Sequence, residues 1–274
     1  MVKLQAMTTL GFSPCPNDTF IFYALANKKI DMGGFDFDLH IEDVETLNKL
    51  AMKRELDITK ISCHAFYYLQ DDYQFLRAGA ALGRGCGPLL VAKKRYKIKD
   101  LSDKKIAVPG ELTTAFLLLK LFFSTFNLHP SSFVVMPFNE IMQAVRDGRA
   151  DAGLIIHESR FTYPEYGLSE IADLGEWWEK HAGLPIPLGG IIAKKGLGTK
   201  KISAIEALIR MSVKYSMTHR EEVMPFIKKH SQELSESVII KHIDLYVNDY
   251  TLEIGDDGLA ALNELLRQAA RIKN

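Results

Sequence analysis

A chain of 274 residues is long enough for one large domain or two small ones, and 47% hydrophobic with 25% charged residues is the composition of a folded globular protein. Thirty-four basic side chains balance thirty-four acidic ones; the basic excess of a nucleic-acid binder is missing, so an anionic ligand has to be held by local donors. Three scattered cysteines make no disulfide framework, the first ten residues lack the apolar core of a secretory signal, and the longest apolar run, 115–123, is broken by Lys120 and too short to span a bilayer, which points to a cytoplasmic chain with no membrane partner.

Taken in chain order, residues 8–12 predict a strand, 17–27 a helix after a Pro-rich turn, and 35–41 a half-buried strand by its alternation. Val44, Leu47, Leu50 and Ala51 have helical spacing over 44–54, and 57–61 predicts a short strand. The series continues with strand 105–108, helix 113–126, strand 133–136, helix 140–147 and strand 152–156. From about Ile202 the pattern is all-helical, ending in 256–273 with an apolar face of Leu259, Leu262, Leu265, Leu266 and Ala269. Strand–helix alternation of this kind predicts an α/β fold of mainly parallel sheets covered by helices.

The segment from Ala51 to Ser62 echoes that from Ala144 to His157. In both, a helix ends in charged residues, a turn follows, then an Asp (Asp57, Asp151), then a buried strand. The echo predicts two similar lobes, whose strand ends would put Lys60, Ser62 and His64 on one side of a crevice and His157 on the other. Glycine-rich loops at 79–87 and 183–190 each feed an extended segment, 89–92 and 191–193, and read as crossings between lobes. The expected organisation is therefore 1–90 for the first part of lobe one, 91–190 for lobe two, and 191–274 for the return to lobe one with the C-terminal helices.

Ser13-Pro-Cys-Pro-Asn-Asp-Thr19 opens the first helix, where free N–H groups suit a carboxylate or phosphate; Asn17, Asp18 and Thr19 are the side chains at that end. Gly110-Glu-Leu-Thr-Thr-Ala115 is the matching turn in lobe two, and the hydroxyls of Thr113 and Thr114 can donate to an anion there. A plain capping role accounts for either turn equally well. His157, after a buried strand, suits a general acid or base, although a lone His is more often structural. Cys63 beside His64 is a rival constellation, and Cys15 reads as a small residue in a tight turn despite the thiol-activating effect of a helix start. Trp177 and Trp178 read as core. No phosphate loop, nucleophile elbow or metal-ligand spacing occurs, so neither metal nor cofactor is expected.

Ser13-Pro-Cys-Pro-Asn-Asp-Thr-Phe20 and Asp151-Ala-Gly-Leu-Ile-Ile-His-Glu-Ser159 resemble segments of the 1,4-dihydroxy-6-naphthoate synthase family. Support comes from Lys60-Ile-Ser62, Gly87-Pro-Leu-Leu90, Gly110-Glu-Leu-Thr-Thr-Ala115, Leu174-Gly-Glu-Trp-Trp178 and Pro185-Ile-Pro-Leu-Gly-Gly190; the likeness covers roughly 8–195 and the helical tail adds little. The resemblance implies a two-lobed fold like the type 2 periplasmic binding proteins and a cofactor-free lyase acting on cyclic dehypoxanthine futalosine in menaquinone biosynthesis. It places the general base on His157 and substrate-binding segments on Lys60, Ile61 and Ser62 and on Thr113 and Thr114. The alternatives are chorismate dehydratase, which shares the fold, and a non-catalytic protein binding a small anion. The shares of Lys60, His64 and Arg84 in holding a ligand stay open.

Overall fold

The computed structural model describes residues 7–130, 132–232 and 235–272; the readings of the extreme N-terminus and of Lys273 fall outside them. Strands β1 (Thr8–Phe12), β2 (Phe37–Ile41), β3 (Ile58–Ser62), β4 (Tyr73–Phe75) and β5 (Ala81–Gly83) come first, interspersed with helices α1 (Pro16–Ala26), α2 (Val44–Met52) and α3 (Cys63–Phe66). Next are β6 (Leu89–Ala92), β7 (Lys105–Val108), α4 (Thr114–Thr125), β8 (Ser132–Val135), α5 (Phe138–Arg146), β9 (Ala152–Ile155), α6 (Ser159–Thr162), β10 (Ser169–Asp173) and α7 (Leu174–Ala182). The chain ends with β11 (Ile186–Lys194) and helices α8 (Thr199–Thr218), α9 (Arg220–His230), α10 (Glu236–Tyr246), α11 (Asp249–Leu252) and α12 (Gly255–Ile272).

These strands form two sheets. One runs β2-β1-β3-β11-β4, with β5 also on β11; the other runs β10-β6-β9-β7-β8. The first draws its strands from both ends of the chain and the second from the middle, with passages between β5 and β6 and between α7 and β11. The predicted β–α–β alternation accounts for the parallel pairs β1–β2, β1–β3, β7–β8 and β7–β9. The strands next to the passages, β6 and β11, run antiparallel to their neighbours. Each sheet is thus mixed rather than mainly parallel, because a chain that leaves a sheet and re-enters it from the other side has no helix crossover to keep its direction. Short β4, β5 and β10 were not anticipated from the sequence; at three to five residues they carry too little periodicity to read.

The echoed segments fold alike. Arg54 and Gly148 both take left-handed backbone, φ 59° and 75°, three residues before the aspartate. The residue after each closes the helix with a bond to the carbonyl five back, Glu55 N to Leu50 O at 3.0 Å and Arg149 N to Ala144 O at 2.9 Å. Asp57 then accepts from Thr9 N at 3.2 Å and Asp151 from Lys105 N at 3.0 Å. In both sheets the carboxylate therefore satisfies the first free N–H of the adjacent parallel strand.

Helix α12 earns its place by its apolar stripe. Ala261, Leu262, Leu265, Leu266 and Ala269 are buried, and the helix packs against α3, α4 and β11, so it touches both the first sheet and the helix that follows β7 of the second. Helices α8, α9 and α10 cover α1. Among the described residues no helix is long and apolar enough to cross a membrane.

Candidate active site

A cavity opens between the two sheets. The first sheet contributes Ser13, Asn17 and Asp18 from the start of α1, Lys60, Ile61 and Ser62 from the end of β3, and Leu188 and Gly189 from β11. From the other side come Thr113, Thr114 and Ala115 at the head of α4, and Ile156 and His157 beyond β9; Tyr246 of α10 closes the back. Of the residues expected from the sequence, all but Thr19, His64 and Arg84 lie on its wall. Thr19 is fully buried, and its hydroxyl donates to Cys15 O at 3.0 Å within its own helix. His64 is buried, and its backbone N–H donates to Thr114 Oγ1 at 3.1 Å. Arg84 sits on the surface, 3.7 Å from Glu179.

The floor is a buried ion pair, Lys60 Nζ to Asp18 Oδ1 at 3.0 Å, with both side chains no more than 5% exposed. Lys60 also donates to Gly79 O at 3.1 Å. Asp18 accepts from Ser13 Oγ at 2.7 Å and from Asn17 Nδ2 at 3.0 Å. The first residue of α1 is a proline and Asp18 occupies its N-terminal turn. That end of the cavity already holds its own carboxylate, so the anion-binding capacity expected there is largely used. Asn17 Oδ1 faces His242 Nε2 at 3.0 Å.

The α4 end differs. Thr113 caps the helix, accepting from Phe116 N at 3.2 Å and donating to Gly110 O at 2.8 Å, while Thr114 donates to Leu188 O at 2.7 Å. Both hydroxyl protons are thus committed to carbonyls, which revises the expected donation to an anion. The donors left at this end are the N–H groups of Thr114 and Ala115, which begin the helix and have no acceptor within it. A carboxylate between them meets two N–H groups and the positive end of the helix.

His157 follows β9 with φ 57°, a left-handed conformation rare outside glycine and concentrated at functional sites. Its half-buried ring lies 5.0 Å from the ring of Phe138 and is near-parallel, 13° and 6.1 Å, to that of His242. Loss of solvation pushes its pKa down to about 4, only partly opposed by Asp18, so the imidazole is neutral at pH 7. Burial pushes His64 down to about 4 as well, and His242 well below the ordinary value.

The thiols are inert as nucleophiles. Burial raises Cys15 well above the ordinary thiol value, outweighing its place at a helix start, and raises Cys63 to about 12. The Cys63–His64 constellation is therefore not a reactive pair. Cys15 Sγ, a ring nitrogen of His157 and a carboxylate oxygen of Glu158 lie within 4.8 Å of one another. These are donor types that zinc can take, one from the start of α1 and two from the turn after β9. Trp178 is core, donating to Pro185 O at 3.0 Å, and Trp177 packs on Phe122. Reading the sequence alone missed Glu158, His242 and Tyr246. Glu158 was the only one with a signal, its place next to His157; the other two lie in the helical tail, where an apolar face says nothing of a distant pocket.

The chain matches a family model described as menaquinone biosynthesis over residues 8–271. It is 46% identical over 260 residues to 1,4-dihydroxy-6-naphthoate synthase of Thermus thermophilus, covering 95% of this chain and 93% of that protein. To the enzyme of the same name from Streptomyces coelicolor it is 45% identical, covering 95% and 92%. Among solved structures, a protein of Archaeoglobus fulgidus superposes with a TM-score of 0.90 at 37% identity over 98% of both chains. The periplasmic aliphatic sulphonate binding protein of Escherichia coli shares the fold, with a TM-score of 0.70 at 11% identity over 97% of this chain and 87% of that one. With two relatives above 40% identity across nearly the whole chain, this protein belongs to the 1,4-dihydroxy-6-naphthoate synthase family, enzymes of menaquinone biosynthesis.

Proposed function

We propose that the cavity binds cyclic dehypoxanthine futalosine and that His157 is the general base of a carbon–carbon lyase reaction yielding 1,4-dihydroxy-6-naphthoate. The observation that carries this reading is the neutral imidazole of His157, held in left-handed backbone on the cavity wall. The imidazole removes a proton from the substrate, the freed electron pair forms the ring double bond as the carbon–carbon bond to the sugar-derived fragment breaks, that fragment leaves with the pair of the broken bond and takes a proton back from the imidazolium, and aromatisation of the remaining ring supplies driving force. The substrate carboxylate lies at the head of α4 on the N–H groups of Thr114 and Ala115, with Thr113 and Thr114 offering lone pairs to substrate hydroxyls. Lys60, Ile61, Ser62, Asn17 and Asp18 shape the opposite wall. Segment 91–190 closes on 1–90 and 191–274 about the two passages, excluding water and aligning the base. Three free, buried thiols suit a reducing compartment and support a cytoplasmic location.

The test is turnover of wild type and His157→Ala with cyclic dehypoxanthine futalosine, product followed by chromatography and chorismate run as a control. Product from wild type and its loss in the variant, with binding retained, is the expected result. Near-normal turnover by His157→Ala removes the base assignment; consumption of chorismate instead moves the chain to the dehydratase.

A further inference from the structure

Tyr246 is the last residue of α10. Just beyond it, Asn248 donates to Leu82 O at 2.9 Å and Thr251 to Ala80 O at 3.0 Å, which ties this end of the helix to β5 at the first passage. The tie sets the phenol in the cavity wall, where the residue is 7% exposed. Five hydroxyl side chains line that wall: Ser13, Ser62, Thr113, Thr114 and Tyr246. Ser13, Thr113 and Thr114 give their protons to Asp18, Gly110 O and Leu188 O, and Ser62 accepts from Asn48 Nδ2 at 3.1 Å. Of the five, only the Tyr246 hydroxyl makes no hydrogen bond to a described residue; the ring packs on that of His242 at 4.6 Å. A buried donor left unmade is costly, and buried phenols as a rule find a partner. Burial also pushes this phenol far above its ordinary pKa, so it keeps its proton and offers a donor, not a base.

The surroundings of the phenol decide what it suits. The passage adds Ala81, Cys86 and Pro88 to the wall, none with a side-chain N–H or O–H. Arg160, whose charge acts on Tyr246, is already paired with Asp173 at 2.8 Å and donates to Gly87 O. Lys60 is likewise paired with Asp18. A carboxylate here would meet one donor and cations that are already neutralised, whereas a neutral oxygen, hydroxyl or carbonyl, meets the single donor it needs. The buried His242 ring packs on both Tyr246 and His157, so one ring stands between the phenol and the imidazole. We infer that the Tyr246 hydroxyl donates to a neutral oxygen on the sugar-derived half of the substrate and holds that half beside His157. The inference rests on the cavity binding cyclic dehypoxanthine futalosine with its carboxylate at the head of α4. The aromatic half is anchored there by its carboxylate, which leaves the phenol to the half that carries neutral oxygens. With the carboxylate on α4 and the reacting C–H at His157, this third contact fixes the rotation of the substrate.

Tyr246→Phe removes the hydroxyl and keeps the ring. Because that hydroxyl holds nothing within the protein, the melting temperature of the ligand-free variant stays at the wild-type value or rises, while KM for cyclic dehypoxanthine futalosine rises about 10-fold. Calorimetry in the His157→Ala background reads affinity without turnover. There, adding Tyr246→Phe weakens substrate binding about 10-fold and leaves 1,4-dihydroxy-6-naphthoate, which lacks the sugar-derived half, bound as before. Substrate affinity unchanged by Tyr246→Phe overturns the inference. So does an equal loss for substrate and product, which would put the contact on the aromatic half, and so does a lowered melting temperature, which would make the hydroxyl a structural group. The function and the contact fail separately: a wild type that neither binds nor turns over the substrate defeats the proposed function and this contact with it, whereas wild-type turnover that Tyr246→Phe leaves unaltered defeats the contact alone.

Discussion

The two sheets carry the same device up to the last residue of a strand and then diverge. Helix α2 leads through Arg54 and Asp57 into β3, and helix α5 leads through Gly148 and Asp151 into β9, with matching backbone turns and matching carboxylate bonds to the neighbouring strand. After β3 the chain stays extended at Ser62 and enters α3, so the outward groups are those of the strand itself, above all Lys60 locked to Asp18. After β9 it turns left-handed at His157, which throws an uncharged imidazole into the cavity. One lobe thus contributes a fixed, internally compensated charge pair and the other a neutral group free to take a proton. The duplicated scaffold places a side chain at each crevice edge, and the local backbone after the strand decides what that side chain can do.

Substitutions test this division in order of expected effect. His157→Ala lowers turnover by about 10²–10⁴, the usual worth of positioned proton transfer, while leaving the urea midpoint nearly unchanged. A stability loss as large as the activity loss would erase the contrast between the lobes. On the opposite wall, Lys60→Met leaves Asp18 buried without its partner and costs about 3–5 kcal/mol in denaturant unfolding. Adding Asp18→Asn to Lys60→Met recovers most of that, which a purely steric role for Lys60 would not allow.

Acid sharpens the comparison, because each lobe holds a histidine pushed down to about 4, His64 in the first and His157 in the second. Below about pH 6.5 the unfolded chain binds a proton at each site, and the native state does not until about pH 4. Stability is therefore complete above pH 6.5 and falls as pH drops through that window, by up to about 3 kcal/mol per histidine. His64→Phe removes one proton from the slope of stability against pH and leaves the activity profile alone. The acid limb of kcat/KM follows His157 and has its midpoint near pH 4; a midpoint near 6.5 would show that the cavity does not desolvate the ring.

The smallest effect separates the two turns. A Cβ on Gly148 meets nothing within 4 Å, so Gly148→Ala costs only the left-handed backbone, about 1 kcal/mol. Arg54 bears the same backbone cost but is paired with Asp72 at 2.6 Å. Arg54→Gly is therefore close to neutral, and a clear gain in stability would show that this exposed pair contributes nothing.

Much of this was legible from residue order, because the signals are local. Strand–helix alternation gave the α/β class, the helix–turn–Asp–strand echo gave two lobes, and Ser13 to Thr19, Gly110 to Ala115 and Asp151 to Ser159 marked the turns that meet at the cavity. Those turns lie within a few residues of a strand end, where chain direction alone determines which way they face. What packs beside them was not legible. Thr19 and His64 adjoin true wall residues yet point into helix packing, since one step along a helix or past a strand changes the face. The hydroxyls of Thr113 and Thr114 are spent on Gly110 and Leu188, the second of which lies on a strand 74 residues away. His242 reaches Asn17 across 225 residues. Sequence determines periodicity and turn chemistry over short spans; which titratable groups share one desolvated space depends on how α10 docks on α1 and β5 and how α12 docks on α3, α4 and β11, and only the packed tertiary structure decides that, because desolvation and hydrogen-bond partnership are properties of the surroundings and not of the residue.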